Sequence, residues 1–175
     1  MKKIYYEKHW KLAYEMFQNG NKDDALEVYK SISSIMSYNP YFLYNYGAEL
    51  SVYGNYQESI DVLRSVENRI NDADYYTCLG SNYFQLGDMQ NAILNYQKAS
   101  NIMPVRYYPK YCLVQSYYMQ KDFGKANALA EEILSMPIKI PSTTINQIRE
   151  EMRMFTIEYQ KQNLLIQKQS LLLNQ

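Results

Sequence analysis

The apolar positions of this chain recur at i, i+3, i+4 and i+7, the spacing that lines one face of an α-helix. Tyr76, Leu79, Gly80 and Tyr83 carry it in one stretch, and Ala92, Ile93, Tyr96 and Ala99 carry it in the next. Between them stand Gly87, which can close a helix in the left-handed conformation, and Asp88, which can start another. This helix-turn-helix phrase is written four times. Gly20, Gly54, Gly87 and Lys121 open the segments GNKDDA, GNYQES, GDMQNA and KDFGKA, at spacings of 34, 33 and 34 residues. Four residues before these openings stand Met16, Leu50, Tyr83 and Tyr117, and five residues after them Ala25, Ser59, Ala92 and Ala126. Small side chains at fixed places in each unit let paired helices approach to the ~8–10 Å of close packing.

The register breaks at MPIKIPS, residues 136–142, where two prolines end the fourth unit. Thr144 followed by Gln147 then reads as a capping box for a further helix, with Ile145, Ile148, Met152, Phe155 and Tyr159 along one face. That helix is expected to cover the apolar face left open by the last stacked repeat. From Gln160 the sequence QKQNLLIQKQSLLLNQ has leucines and glutamines but no clean single stripe, and is a candidate for self-association.

These residues resemble the tetratricopeptide repeat, whose pattern runs W-x2-L-G-x2-Y, then A-x3-F, then P. The third unit matches best, with Tyr76, Leu79, Gly80, Tyr83, Ala92, Tyr96, Ala99 and Pro104 in register. The first and fourth are looser: Trp10 sits one place late, and Ala13 and Val114 stand where the pattern has glycine. The resemblance implies an all-α fold, a right-handed α-α superhelix of four repeats at 6–39, 40–72, 73–106 and 107–140, with a C-terminal capping helix and tail at 141–175. It also implies that the first helices line a concave groove. The groove places hold Trp10, Tyr14, Phe17, Tyr41, Tyr44, Asn45, Tyr53, Asn82, Phe84, Tyr108, Tyr111, Gln115 and Tyr118. Such a wall would be aromatic and amide-rich; tyrosine offers large contact area, a polar handle and little rotamer entropy to lose.

Family members that clamp a C-terminal carboxylate do so with lysine, arginine and asparagine at defined groove places. In the first register those places hold Trp10, Tyr14, Asn45, Asp74 and Cys78, and in the second Tyr44, Glu49, Cys78, Tyr108 and Cys112. Only Asn45 fits, so a chaperone-tail receptor is not expected. The last third, from YYPKYCLVQSYY through KANALAEEILSMPIKIPSTTINQIREEM, is similar to the C-terminal repeat tail of bacterial O-antigen ligase or polymerase-type membrane proteins. That narrower resemblance implies an accessory domain, tethered to a membrane part not present in this sequence, with glycan contact through aromatic stacking. A stand-alone chain would instead be cytoplasmic.

Composition narrows the function further. Eighteen Lys and Arg balance eighteen Asp and Glu, so there is no basic field of the kind that drives nucleic-acid binding. MKKIYYEKHW has no apolar run behind its lysines, and no window approaches the ~18 apolar residues of a membrane span. Cys78 and Cys112 make no CxxC pair, and His9 is the only histidine, so no metal or cofactor is expected. Equivalent places on adjacent helices lie too far apart for a disulfide, which leaves both thiols free. Neither a phosphate loop nor a nucleophile elbow occurs. Tyrosine stands out at 20 of 175 residues. The expectation is a non-catalytic scaffold that binds an extended peptide or partner protein through its aromatic groove.

Overall fold

The computed structural model describes residues 2–173. Among these it contains nine α-helices and no strand: α1 Lys2–Gln18, α2 Lys22–Met36, α3 Pro40–Tyr53, α4 Tyr56–Arg64, α5 Ala73–Gln85, α6 Met89–Ile102, α7 Tyr107–Met119, α8 Phe123–Ser135 and α9 Thr143–Leu173. A short 3-10 turn, Glu67–Arg69, follows α4. Internal contacts divide the chain into two compact units, Met1–Asn95 and Tyr96–Gln175, with the division inside α6.

The repeated phrase forms the same turn each time. Gly20, Gly54, Gly87 and Lys121 have φ of 89°, 99°, 79° and 61°. The next residue then donates its N–H to the carbonyl five residues back: Asn21 to Met16, Asn55 to Leu50, Asp88 to Tyr83 and Asp122 to Tyr117, at 2.9–3.0 Å. These bonds satisfy carbonyls that a helix C-terminus would otherwise leave unpaired. Lys121 is the one non-glycine residue in the set. A side chain in the left-handed region brings Cβ too close to the carbonyl oxygen, at about 1–2 kcal/mol.

Helix starts are fixed by side chains. Asn39 Oδ1 accepts from the Tyr41 and Phe42 amides ahead of Pro40, and Asp72 Oδ1 from those of Asp74 and Tyr75. Asp88 and Asp122 cap α6 and α8 through the Asn91 and Lys125 amides. The cap of α9 is Ser142, whose Oγ accepts from the Ile145 amide. The capping box expected at Thr144 therefore sits inside the first turn. The helix starts earlier because Ser142, directly after Pro141, offers its hydroxyl to the amide three residues on.

In the first unit a cluster of rings packs inside a mostly aliphatic interior. Tyr29 stacks on Tyr46 at 5.5 Å and packs against Phe42, with Trp10 edge-on to Phe42 at 5.8 Å. Tyr75 is fully buried and donates its hydroxyl to the Leu63 carbonyl at 2.9 Å. Part of the tyrosine excess is therefore core. Gly47 admits α4: a Cβ there would lie 2.7 Å from Leu63 Cδ2. A buried polar relay crosses the same seam, with Asn82 Nδ2 donating to Ser59 Oγ at 2.7 Å and Ser59 Oγ donating to the Gly47 carbonyl at 2.6 Å.

The second unit packs α7, α8 and α9 around Tyr107, Val114, Ala126, Ala130, Ile133, Ile148 and Met152. Ile145 and Phe155 pack against this core, so the apolar face read in the sequence does cover the last helix pair. Arg149 of α9 donates to the Ile133 and Met136 carbonyls at 3.1 Å, closing the C-terminus of α8. Beyond Tyr159, α9 stays helical through Leu173; residues 174 and 175 of the leucine-rich tail lie outside the described residues.

Candidate protein-interaction surface

Two clusters of the sequence-predicted groove residues form, one in each unit. In the first, Trp10, Tyr14 and Asn45 line a hollow of about 260 Å³ together with Glu7 and Lys11. α1 carries Glu7, Trp10, Lys11 and Tyr14 one helical turn apart, so they share a face, and α3 brings Asn45 beside them. Trp10 and Asn45 are half-buried and Tyr14 is exposed. The hollow thus offers ring faces, an amide that both donates and accepts, and one charge of each sign. Tyr41 and Tyr53 are also exposed on α3, Tyr53 through a ring whose hydroxyl is bonded to Asp23.

Three assignments in the first unit change. Phe17 is buried, 5 % exposed, with the Lys22 ammonium 5.4 Å from its ring centre. Asn82 is wholly buried in the relay with Ser59. Both leave the open surface because their helices are rotated so that these places face the neighbouring helix. Tyr44 is half-buried and edge-on to Tyr75 at 6.1 Å, which makes it a packing residue as much as a surface one. Phe84 is half-buried near the end of α5.

Beside these rings lies a buried carboxyl that the sequence reading placed in the groove. Glu49 is 6 % exposed. Burial pushes its pKa up to about 7, with Lys22 pulling the other way. Nothing in the sequence marks it, because its burial depends on how α3 packs.

In the second unit α7 presents Tyr108, Tyr111, Gln115 and Tyr118. Tyr111 donates to Glu151 of α9 at 2.6 Å and accepts from Gln115 Nε2 at 2.8 Å. Tyr118 lies edge-on to Phe155 of α9 at 5.9 Å. Burial and the Glu151 bond hold the Tyr111 phenol up at about 12, and the Cys112 sulfur followed by burial does the same for Tyr108. Both phenols remain donors at neutral pH. Tyr111 and Tyr118 are thus partly engaged by the terminal helix, whereas Tyr108 faces solvent.

A second hollow, of about 440 Å³, is bounded by the 104–106 loop, the start of α7 and the loop before α9. Val105, Tyr107, Tyr108, Met136, Ile140 and Ile145 give it apolar walls, with Arg106 and Lys139 among the lining residues. The sequence showed only a register break here.

Cys78 and Cys112 are free, and burial pushes both thiols up to about 11, which leaves them protonated at neutral pH. Among the described residues no group of three or more His, Cys, Asp or Glu side chains could hold a metal ion, and no helix is long and apolar enough to cross a membrane. His9 Nδ1 lies 2.8 Å from the Tyr5 carbonyl within its own helix.

Helix pairs joined by left-handed turns about 34 residues apart are the tetratricopeptide-repeat fold, and solved structures agree. The chain is similar to a structure described as MamA, with TM-score 0.70 and 23 % identity over 90 % of this chain and 95 % of that one. It is similar to a tetratricopeptide repeat protein from Parabacteroides merdae ATCC 43184, with TM-score 0.68 and 21 % identity over 85 % of this chain and 60 % of that one. It also matches TTC0263, a thermophilic TPR protein of Thermus thermophilus, with TM-score 0.64 and 16 % identity over 85 % and 81 % of the two chains. Identities at this level establish the fold alone. No family model matches the chain, and no curated protein does.

Proposed function

We propose that this chain is a non-catalytic interaction scaffold that takes an extended peptide or partner segment on the exposed faces of its first helices. The observation that carries this reading is the hollow of Trp10, Tyr14 and Asn45. Half-open rings supply contact area at low entropic cost, Asn45 can bond a peptide backbone at both its polar groups, and Glu7 and Lys11 set direction at the rim. The exposed rings of Tyr41 and Tyr108 extend the same kind of surface within their own units.

The test uses the only tryptophan in the chain as its reporter. Peptides selected by display against the intact protein should shift or quench Trp10 emission on titration. Tyr14→Ser with Asn45→Ala should weaken binding about tenfold or more while leaving the melting temperature nearly unchanged. Selected peptides that bind without any change in Trp10 emission, and equally well to the double variant, would place recognition elsewhere.

A second reading is self-association through α9, supported by apolar side chains left exposed along it. The reading as an accessory domain of a glycan-transferring membrane protein draws on the resemblance of the last third alone. Binding of saccharides on a glycan array, lost with Tyr108→Ala, would support it.

A further inference from the structure

α9 has two apolar faces, and its own bundle covers one along the first part of the helix; Ile166, further along that face, is 62 % exposed. Ile148 and Met152 are buried against α7 and α8. At ~100° per residue, Met154, Ile157, Leu164, Leu165 and Leu172 gather within an arc of about 100° on the opposite side. All five are between 41 and 72 % exposed. Met154, Lys161 and Lys168 stand seven residues apart, as do Ile157 and Leu164, and Leu165 and Leu172. A seven-residue repeat of this kind is a seam for pairing with another helix. The stretch after Gln160 shows no stripe on its own because the seam begins upstream, at Glu150, and alternates apolar residues with lysines.

We propose that this outer face of α9 pairs antiparallel with α9 of a second copy of the chain, in the register that sets Met154 against Leu164 and Glu150 against Lys168. The same register sets Ile157 against Lys161, whose aliphatic stem can lie on the isoleucine while its ammonium reaches Glu158 of the second copy. All three layers, and their symmetry mates, are met by one alignment with its two-fold axis at Tyr159. Charge selects both the occupant and the direction. Glu150 and Glu158 lie in the N-terminal half of the seam, and Lys161 and Lys168 in the C-terminal half. Reversing the second helix opposes unlike charges along its length. Parallel pairing would instead set Glu150 on Glu150, Lys161 on Lys161 and Lys168 on Lys168 at the centre of the contact, where like charges are strongly disfavoured. Glu150 is now paired with Arg153 on its own helix, with both side chains more than half exposed, and exposed pairs of this kind exchange at little cost.

This inference rests on the self-association reading and is independent of the Trp10 hollow. Light scattering on the full chain should give twice the 20.8 kDa protomer mass. Under mild oxidation, mixed Met154→Cys and Leu164→Cys proteins should form the 154–164 disulfide, mapped by mass spectrometry. Met154→Cys alone should form no 154–154 link, since the two sites would lie about 15 Å apart along the helix axes. Lys168→Glu should weaken the dimer about tenfold or more, and Glu150→Lys added to it should restore the dimer. A 154–154 link would overturn the antiparallel register while leaving self-association standing. A protomer mass at every soluble concentration would overturn both. A dimer with no 154–164 link and no response to Lys168→Glu places the contact elsewhere and overturns the proposal.

Discussion

Replacing Glu49 by glutamine should stabilise the protein at pH 8 and do so by only about a quarter as much at pH 5. The carboxyl is nearly inaccessible, and burial lifts its pKa from 4.5 to about 7, against the opposing pull of Lys22. A raised carboxyl pKa means that the folded state holds the proton more tightly than the unfolded state. Stability is therefore highest below about pH 4.5, falls as pH rises toward 7, and is flat above it. Each tenfold gain in proton affinity corresponds to about 1.4 kcal/mol, so a rise from 4.5 to about 7 sets a ceiling of about 3.5 kcal/mol; relaxation and water entry reduce this to about 1–3 kcal/mol. Glutamine has nearly the same shape and does not titrate, so it removes the pH-dependent contribution while keeping the packing. Urea unfolding at pH 5, 6.5 and 8, followed by Trp10 fluorescence, reads the unit that contains Glu49. The difference between variant and parent should grow steadily across that range. A difference that stays constant would show that Glu49 folds as an ordinary solvated carboxylate, and one that shrinks as pH rises would show that the fold stabilises its charged form; either refutes the raised pKa.

Two further outcomes follow from the turn and the relay. Lys121→Gly relieves the one side chain held at positive φ and should stabilise by about 1 kcal/mol, read as a melting temperature higher by about 2–4 °C. Asn82→Ala removes the donor to Ser59 inside the first unit and should cost about 1–3 kcal/mol in denaturant unfolding, while peptide binding at Trp10, measured well below the transition, stays unchanged.

The repeat was legible because turn chemistry and helix spacing are local. A glycine, then Asn or Asp, then a small residue four later, with an apolar residue four before the glycine, is enough to place a Schellman turn and the two faces beside it. The division of aromatics between surface and core was not legible to the same degree. Tyr14 and Phe17 lie one turn apart on α1, and a modest rotation of the helix decides which is exposed; the structure exposes the first and buries the second. Asn82 stood at a groove place by register, yet Ser59 and Gly47 across the seam draw it inward, and those partners are 23 and 35 residues away in sequence. The outer seam of α9 was hidden for a different reason. Its lysines interrupt a stripe whose apolar members are separated by seven residues, so no short window contains it.

The contact made by Arg149 gives the terminal helix a role beyond covering an apolar face. Its guanidinium closes the last turn of α8 by accepting none and donating two bonds, to the Ile133 and Met136 carbonyls; the Met136 carbonyl also receives the Tyr107 hydroxyl. Release of α9 would therefore take both Arg149 bonds from the end of α8 and leave the Met136 carbonyl held by the Tyr107 hydroxyl at the start of α7. These shared bonds couple the three segments, so whatever engages the outer face of α9 is expected to change how often the end of the bundle opens to amide exchange.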